Sequence, residues 1–133
     1  MSIKKNITID GMEVPFKASA AVPRLYRLKF RRDIYKDFAS LKTDVEEGDE
    51  NKSELDIESL EVFENIAYIM AKHADPENVP DSPDDFLEQF NTFSIYEILP
   101  QLIELWGLNT ATQIESKKNI ARLYFFVERF INR

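Results

Sequence analysis

His73 is the only histidine in the chain, and imidazole is the side chain best suited to acid–base chemistry near neutral pH. It lies near the end of a predicted helix and is soon followed by Asp75 and Pro76. A catalytic histidine needs an orienting partner and a pocket, and no Ser–His–Asp or Cys–His arrangement can be argued around His73. We therefore interpret His73 as a last-turn residue of its helix, a position where histidine is favourable to the helix dipole.

Metal chemistry has equally little support. The chain has no cysteine, which excludes disulfides, thiolate nucleophiles and cysteine zinc sites. The acidic stretch DVEEGDENKSELD at 44–56 lacks the fixed alternation of oxygen ligands, glycine and terminal glutamate that a calcium loop needs. Asp84 and Asp85 fall in the first turn of a predicted helix, where they stabilise its N-terminal end. The sequence therefore predicts no catalytic residue, no metal and no cofactor, and it indicates a binding protein rather than an enzyme.

The segment NITIDGMEVPFKAS predicts a β-hairpin over about residues 4–18. Asp10-Gly11 is a typical two-residue turn, because that turn needs positive φ. Pro15 cannot donate to a strand ladder, so we expect the second strand at a sheet edge. The apolar positions share one face of the hairpin: Ile7, Ile9, Val14 and Phe16.

Helical periodicity predicts five helices, over about residues 22–42, 57–74, 83–90, 95–106 and 118–131. In the first helix apolar residues recur every four positions: Val22, Tyr26, Phe30, Ile34 and Phe38. Ser19 is its expected cap and Pro23 suits its first turn. The apolar face of the second helix comprises Leu60, Phe63, Ile66, Ala67, Met70 and Ala74.

Polar and conformationally restricted residues mark the ends of the later helices. Asp56, Ser82 and Ser94 are expected N-caps, and Gly107 is an expected C-terminal stop. Pro100 should kink the fourth helix or start a new helical segment. The 133 residues, 44% of them hydrophobic, suit one domain with its own core over 1–133. We predict a mainly α fold with a small β element (α+β), an N-terminal β-hairpin followed by a helical bundle.

Charge is unevenly distributed along the chain. The net charge of -7 argues against binding to nucleic-acid backbone. Residues 22–36 carry six basic side chains and one acid, whereas residues 44–64 carry ten acids and one lysine. Residues 75–88 add six acids and no base. These blocks are either solvated helix faces or complementary surfaces that join copies head to tail or bind a partner.

Several residues are candidates for interaction with other proteins. Arg24, Arg27 and Arg31 fall on one side of the first predicted helix. Trp106 is either an interface anchor or a core residue. The last predicted helix is rich in aromatic residues, and Phe125 and Phe126 cannot both join its main apolar face. The C-terminal candidates are Tyr124, Phe125, Phe126 and Phe130. No stretch approaches the ~20 apolar residues of a membrane helix, and the N-terminus has no signal-peptide pattern, so we expect no membrane partner.

Three segments carry a family resemblance: ITIDGMEVPFKASAAVPRLYRLKFRRDIYKDF, FLEQFNTFSIYEILPQLIELWGLN and TATQIESKK. Together they resemble the tail assembly chaperones of long-tailed, siphovirus-type phages and prophages of Gram-positive bacteria. The resemblance implies a non-enzymatic morphogenesis factor that coats the aggregation-prone tape measure protein in the host bacterial cytoplasm. It also implies self-association and absence from the mature virion.

The resemblance further implies two products from one gene through ribosomal frameshifting. Ser116, Lys117 and Lys118 can be encoded by a serine codon ending in A followed by AAA AAG, on which paired tRNAs can re-pair one base back. The present chain would be the unshifted product, and the longer form would help to recruit the tail tube protein. Otherwise, the two lysines simply begin a polar helix.

A different class of function remains open on the sequence alone. An acidic adaptor or DNA-mimic protein would bind a host protein through its carboxylates. Such a mimic needs one continuous acidic face, whereas basic blocks interrupt the acids of this chain.

Overall fold

The computed structural model describes residues 3–46 and 57–107. It begins with the predicted hairpin, in which β1 (Ile3–Ile9) pairs antiparallel with β2 (Met12–Ala18). Asp10 and Gly11 form the turn with φ of 53° and 78°, the left-handed conformations that a tight hairpin turn requires. Ile7, Ile9, Val14 and Phe16 are buried, so the hairpin and its apolar face are confirmed, whereas Met12, opposite Ile9, is 40% exposed.

Pro15 lies opposite Asn6 in this hairpin. Ile9 and Met12 flank the two-residue turn and form a hydrogen-bonded pair, and such pairs alternate with non-hydrogen-bonded ones along an antiparallel ladder. Three residues beyond Met12, Pro15 therefore occupies a non-hydrogen-bonded position. Its missing N–H costs the ladder no hydrogen bond.

The single helix predicted over residues 22–42 is wrong, because the chain forms α1 (Val22–Phe30) and α2 (Ile34–Glu46) there. α1 ends at Phe30, and its C-cap Arg31 donates its N–H to the carbonyl of Arg27 at 2.8 Å and then turns the chain out of the helix through a left-handed backbone (φ 60°). α2 begins after Asp33, whose Oδ1 accepts from the N–H of Tyr35 at 2.9 Å. The apolar repeat continues across this break, since Ile34 and Phe38 are buried, and it therefore concealed the break.

Ser19 does not cap α1 as predicted. The N-cap residue is Ala21, with no side-chain cap, and Pro23 lies in the first turn as expected. The Ser19 side chain instead accepts from the N–H of Ala21 at 3.2 Å and lies 2.7 Å from Nε2 of His73. Ser19 thus links the end of the hairpin to the distant end of the third helix.

Replacing Arg31 with glycine is expected to raise the free energy of unfolding by roughly 0.5–1 kcal/mol. Glycine has no Cβ, so it adopts the left-handed φ of this position without steric strain. The strain that is removed is larger than the extra conformational entropy that glycine loses on folding. Urea unfolding measures the change. Arg27→Gly, within the same helix, should instead lower stability by about 1 kcal/mol. A loss of stability in both variants would show that the conformation of Arg31 is not strained.

α3 (Ile57–Ala74) agrees with the helix predicted over 57–74 and is the centre of the fold. It packs against β2, α1, α2 and the following helix, so its middle is buried on more than one side. Its buried apolar residues are Val62, Phe63, Ile66, Ala67, Tyr68, Ile69, Met70 and Ala71. Leu60 was placed on the buried face but is 38% exposed, and Ala74 is half-buried. The predicted cap Asp56 lies outside the described residues.

α4 (Pro83–Leu87) is shorter than the predicted helix over 83–90, although Ser82 caps it as expected by accepting from the N–H of Asp85 at 3.2 Å. α5 extends from residue 95 to residue 107, the last described position, and no break occurs at Pro100. Pro100 is exposed, so water can bond the carbonyl of Tyr96 that lacks a helical N–H partner. Gly107, the predicted C-terminal stop of this helix, is the last described residue. The helix predicted over 118–131 lies outside the described residues.

The architecture is the predicted α+β class, a two-stranded antiparallel sheet followed by several helices. The buried face of the hairpin, α3 and the inner faces of the other helices share one hydrophobic core. Within the described residues no helix is long and apolar enough to span a membrane.

Candidate interaction surfaces

The three arginines that the sequence singled out are all exposed, Arg24 and Arg27 on α1 and Arg31 at its C-cap. Arg27 and Arg31 lie one helical turn apart and line an open cavity of about 480 Å³. We call this the arginine cavity; its other lining residues are Pro23, Arg32, Asp33, Ile34 and Tyr35. Arg24 is exposed on the same helix but does not line the cavity. The structure thus brings two of the three predicted arginines together, beside an aromatic ring.

Arg32 differs from these neighbours because it is part of an internal network. Its Nε and Nη2 donate to the Asp37 carboxylate at 2.7 and 2.9 Å, and Nη2 lies 3.3 Å from Glu58. The buried Tyr26 hydroxyl donates to the same Asp37 carboxylate at 2.7 Å. The hydrogen bond from Arg32 holds the pKa of Asp37 below its usual value, whereas burial, followed by the bond to Asp37, raises the pKa of Tyr26. The network joins α1, α2 and α3.

Some of the charge complementarity predicted between copies therefore operates within one chain. Arg32 belongs to the basic block and pairs with Glu58 of the acidic block. Lys29 donates to the carbonyl of Asp81 at 2.8 Å, in the second acidic stretch. Within the described residues Arg24, Arg27 and Arg31 form no ion pair.

An acidic cluster occupies another part of the surface, where α3 meets α4. Burial, followed by the negative charges of Glu61 and Asp84, raises the pKa of Glu64. The carboxyl group of Glu64 therefore lies within electrostatic reach of both neighbours. The chain thus carries surfaces of opposite sign on different elements.

Trp106 packs within the molecule, in agreement with the core interpretation of this residue. Its ring stacks on Phe38 with centroids 5.5 Å apart and contacts Tyr35 at 5.7 Å. Trp106 is half-buried, whereas Tyr35 is 55% exposed. Tyr35 thus connects this aromatic group to the arginine cavity.

An apolar groove lies between α1 and α3, with an open volume of about 520 Å³. We call it the α1–α3 groove; its lining residues are Leu25, Leu28, Lys29, Tyr68, Ile69, Lys72, His73, Pro76 and Asp81. Leu28 is 52% exposed there, although leucine gains free energy from burial. Sequence analysis missed this groove. The only available signal was that Leu25 and Leu28 lie off the stripe formed by Val22 and Tyr26.

His73 lies in the last turn of α3, as predicted. It is half-buried beside Ser19, and burial together with the charge of Lys17 lowers its pKa, which favours the neutral ring at pH 7. Its role is to tie the end of α3 to the segment between β2 and α1.

The remaining sequence candidates fall where no geometry is described: Ser116, Lys117, Lys118, Tyr124, Phe125, Phe126 and Phe130. Across residues 3–46 and 57–107, no group of histidine or acidic residues is arranged to hold a metal ion. Comparison with known protein families, with curated proteins and with solved structures finds no match to this chain.

Proposed function

We propose that this protein is a tail assembly chaperone of a siphovirus-type phage or prophage of Gram-positive bacteria. It would hold the tape measure protein in solution in the host cytoplasm and leave before the virion matures. Two features support the proposal: the family resemblance of three sequence segments, and the exposed apolar α1–α3 groove. The groove is the structural observation that carries it, because a chaperone for a long apolar ligand needs apolar area that remains accessible.

Self-association is the second part of the proposal. Many copies side by side on one long ligand gain affinity through avidity. The arginine cavity and the acidic cluster of Glu61, Glu64 and Asp84 lie on different elements, which suits a heterologous contact that can repeat along the ligand. The longer frameshifted form would recruit the tail tube protein.

Co-expression with fragments of the tape measure protein encoded by the same phage tests the proposal. We expect this chain to keep at least one fragment in solution and to co-purify with it. Sedimentation of the purified chain should show association that weakens near 0.5 M salt, where the Debye length is only a few ångströms. A chain that stays monomeric at high concentration and leaves every fragment insoluble would refute the chaperone function.

A further inference from the structure

The α1–α3 groove leaves apolar side chains accessible to solvent. Leu28 and, in part, Leu25 of α1 are exposed along one side, and Ile69 of α3, only 5% exposed, lines the other. Leu28 is among the most exposed large apolar residues of the described chain. A groove with apolar residues on two helices fits an apolar ridge inserted between them, which is the contact that an amphipathic helix makes.

The wall of the groove is held in place before any partner binds. Lys72 donates to the carbonyls of Pro76 and Val79 and to Asp81, at 2.9, 2.7 and 3.0 Å. The Tyr68 hydroxyl donates to the carbonyl of Pro80 at 2.9 Å, which fixes the same loop to α3. A groove whose wall is already ordered needs little further ordering when it binds, and this favours affinity.

The charges around the groove indicate what occupies it. The charges of Lys29 and Lys72 both act on Asp81, the one acid of the lining, and Lys17 lies near His73; within the described residues Lys29 and Lys17 form no ion pair. The lining therefore carries one more positive than negative charge, although the chain carries a net charge of -7. The chain's own aromatic C-terminal segment, 117–133, carries five basic residues and one acid, so it has the same sign as the rim. Electrostatic repulsion thus disfavours binding of this segment in the groove, whether it comes from the same copy of the chain or from another.

We propose that the α1–α3 groove binds one amphipathic helix of a different protein, with apolar side chains against Leu25, Leu28 and Ile69 and acidic side chains facing Lys17 and Lys29. This inference rests on the proposed function and names the binding surface for it, so the expected partner is a helical segment of the tape measure protein. Apolar residues at i, i+3 or i+4, and i+7 of that helix would form the ridge, flanked by glutamate or aspartate.

The test uses the full chain and overlapping fragments of the tape measure protein encoded by the same phage. We expect Leu28→Glu to weaken binding of the recognised fragment at least tenfold, while Lys17→Glu weakens it several-fold and reduces its salt dependence. Tyr96→Glu is the matched control, because Tyr96 is 62% exposed on α5 and does not line the groove. Both Leu28 and Tyr96 are largely solvent-exposed, so both variants should unfold at the wild-type urea concentration.

A photo-crosslinking residue at position 28 identifies the occupant directly. We expect position 28 to crosslink to an amphipathic, acid-flanked segment of the fragment, and position 96 not to do so. If the wild type binds a fragment but Leu28→Glu binds it equally well, the groove is not the site and the chaperone function stands. A crosslink from position 28 to a second copy would overturn the assignment to a different protein. If the wild type binds no fragment, the proposed function fails and this inference fails with it.

Discussion

Phe86→Ala is expected to lower the free energy of unfolding by about 4 kcal/mol. Phe86 is fully buried although it belongs to a helix of only five residues. Its ring contacts Tyr68, Phe90 and Phe93, with centroid distances of 5.9, 5.3 and 5.8 Å. A helix this short is not stable alone, so α4 is held in place by this side chain. Equilibrium urea unfolding measures the loss.

Phe90→Ala provides the comparison because Phe90 belongs to the same aromatic group but is only half-buried. It should cost roughly half as much as Phe86→Ala, since less apolar surface leaves water on folding. Equal and small losses for the two variants, below about 1 kcal/mol, would show that α4 is not anchored through Phe86.

Asp37→Ala is expected to destabilise the fold by about 2–3 kcal/mol. The Asp37 side chain is 9% exposed and accepts hydrogen bonds from both Tyr26 and Arg32. Arg32 is 44% exposed, so solvent can replace much of its interaction. Most of the cost therefore comes from the buried Tyr26 hydroxyl, which loses its acceptor. Tyr26→Phe should lower the free energy of unfolding by less in the Asp37→Ala background than in the wild type. A double-mutant cycle measures this difference.

The hydrogen bond between Arg32 and Asp37 makes the stability of the fold depend on pH with a definite sign. The folded pKa of Asp37 is below its ordinary value, so its charge stabilises the native state above about pH 4. That contribution is lost as pH falls through the lowered folded pKa. The stability difference between wild type and Asp37→Asn should thus be constant near neutrality and shrink in acid. A difference that grows on acidification would mean that Asp37 is not stabilised as an anion.

The hairpin and α3 were predictable because each carries a local signal. Asp10-Gly11 fixes the turn and with it the register of the whole hairpin. The break between α1 and α2 was missed because the four-residue apolar repeat continues through it with the same spacing. Its only local signal is Asp33, which caps α2. A capping residue inside a periodic segment should therefore count as evidence for a new helix.

The interaction surfaces were only partly predictable, for a different reason. The basic composition of residues 22–36 was evident, but the sequence could not show that Arg32 is bound internally while Arg27 and Arg31 share a cavity. The α1–α3 groove joins Leu28 to Ile69, residues that are far apart in the chain. Tertiary contacts create such a surface, and one-dimensional periodicity does not encode them.

The central position of α3 has a consequence for synthesis on the ribosome. The hairpin, α1 and α2 are made first, but β2, α1 and α2 all pack against a helix that is complete only at Ala74. At 5–20 residues per second, translation from residue 46 to residue 74 takes about 1–6 s. During that interval Phe16, Val22 and Ile34 have no α3 to cover them. The nascent chain thus exposes apolar side chains for seconds before its own core can form.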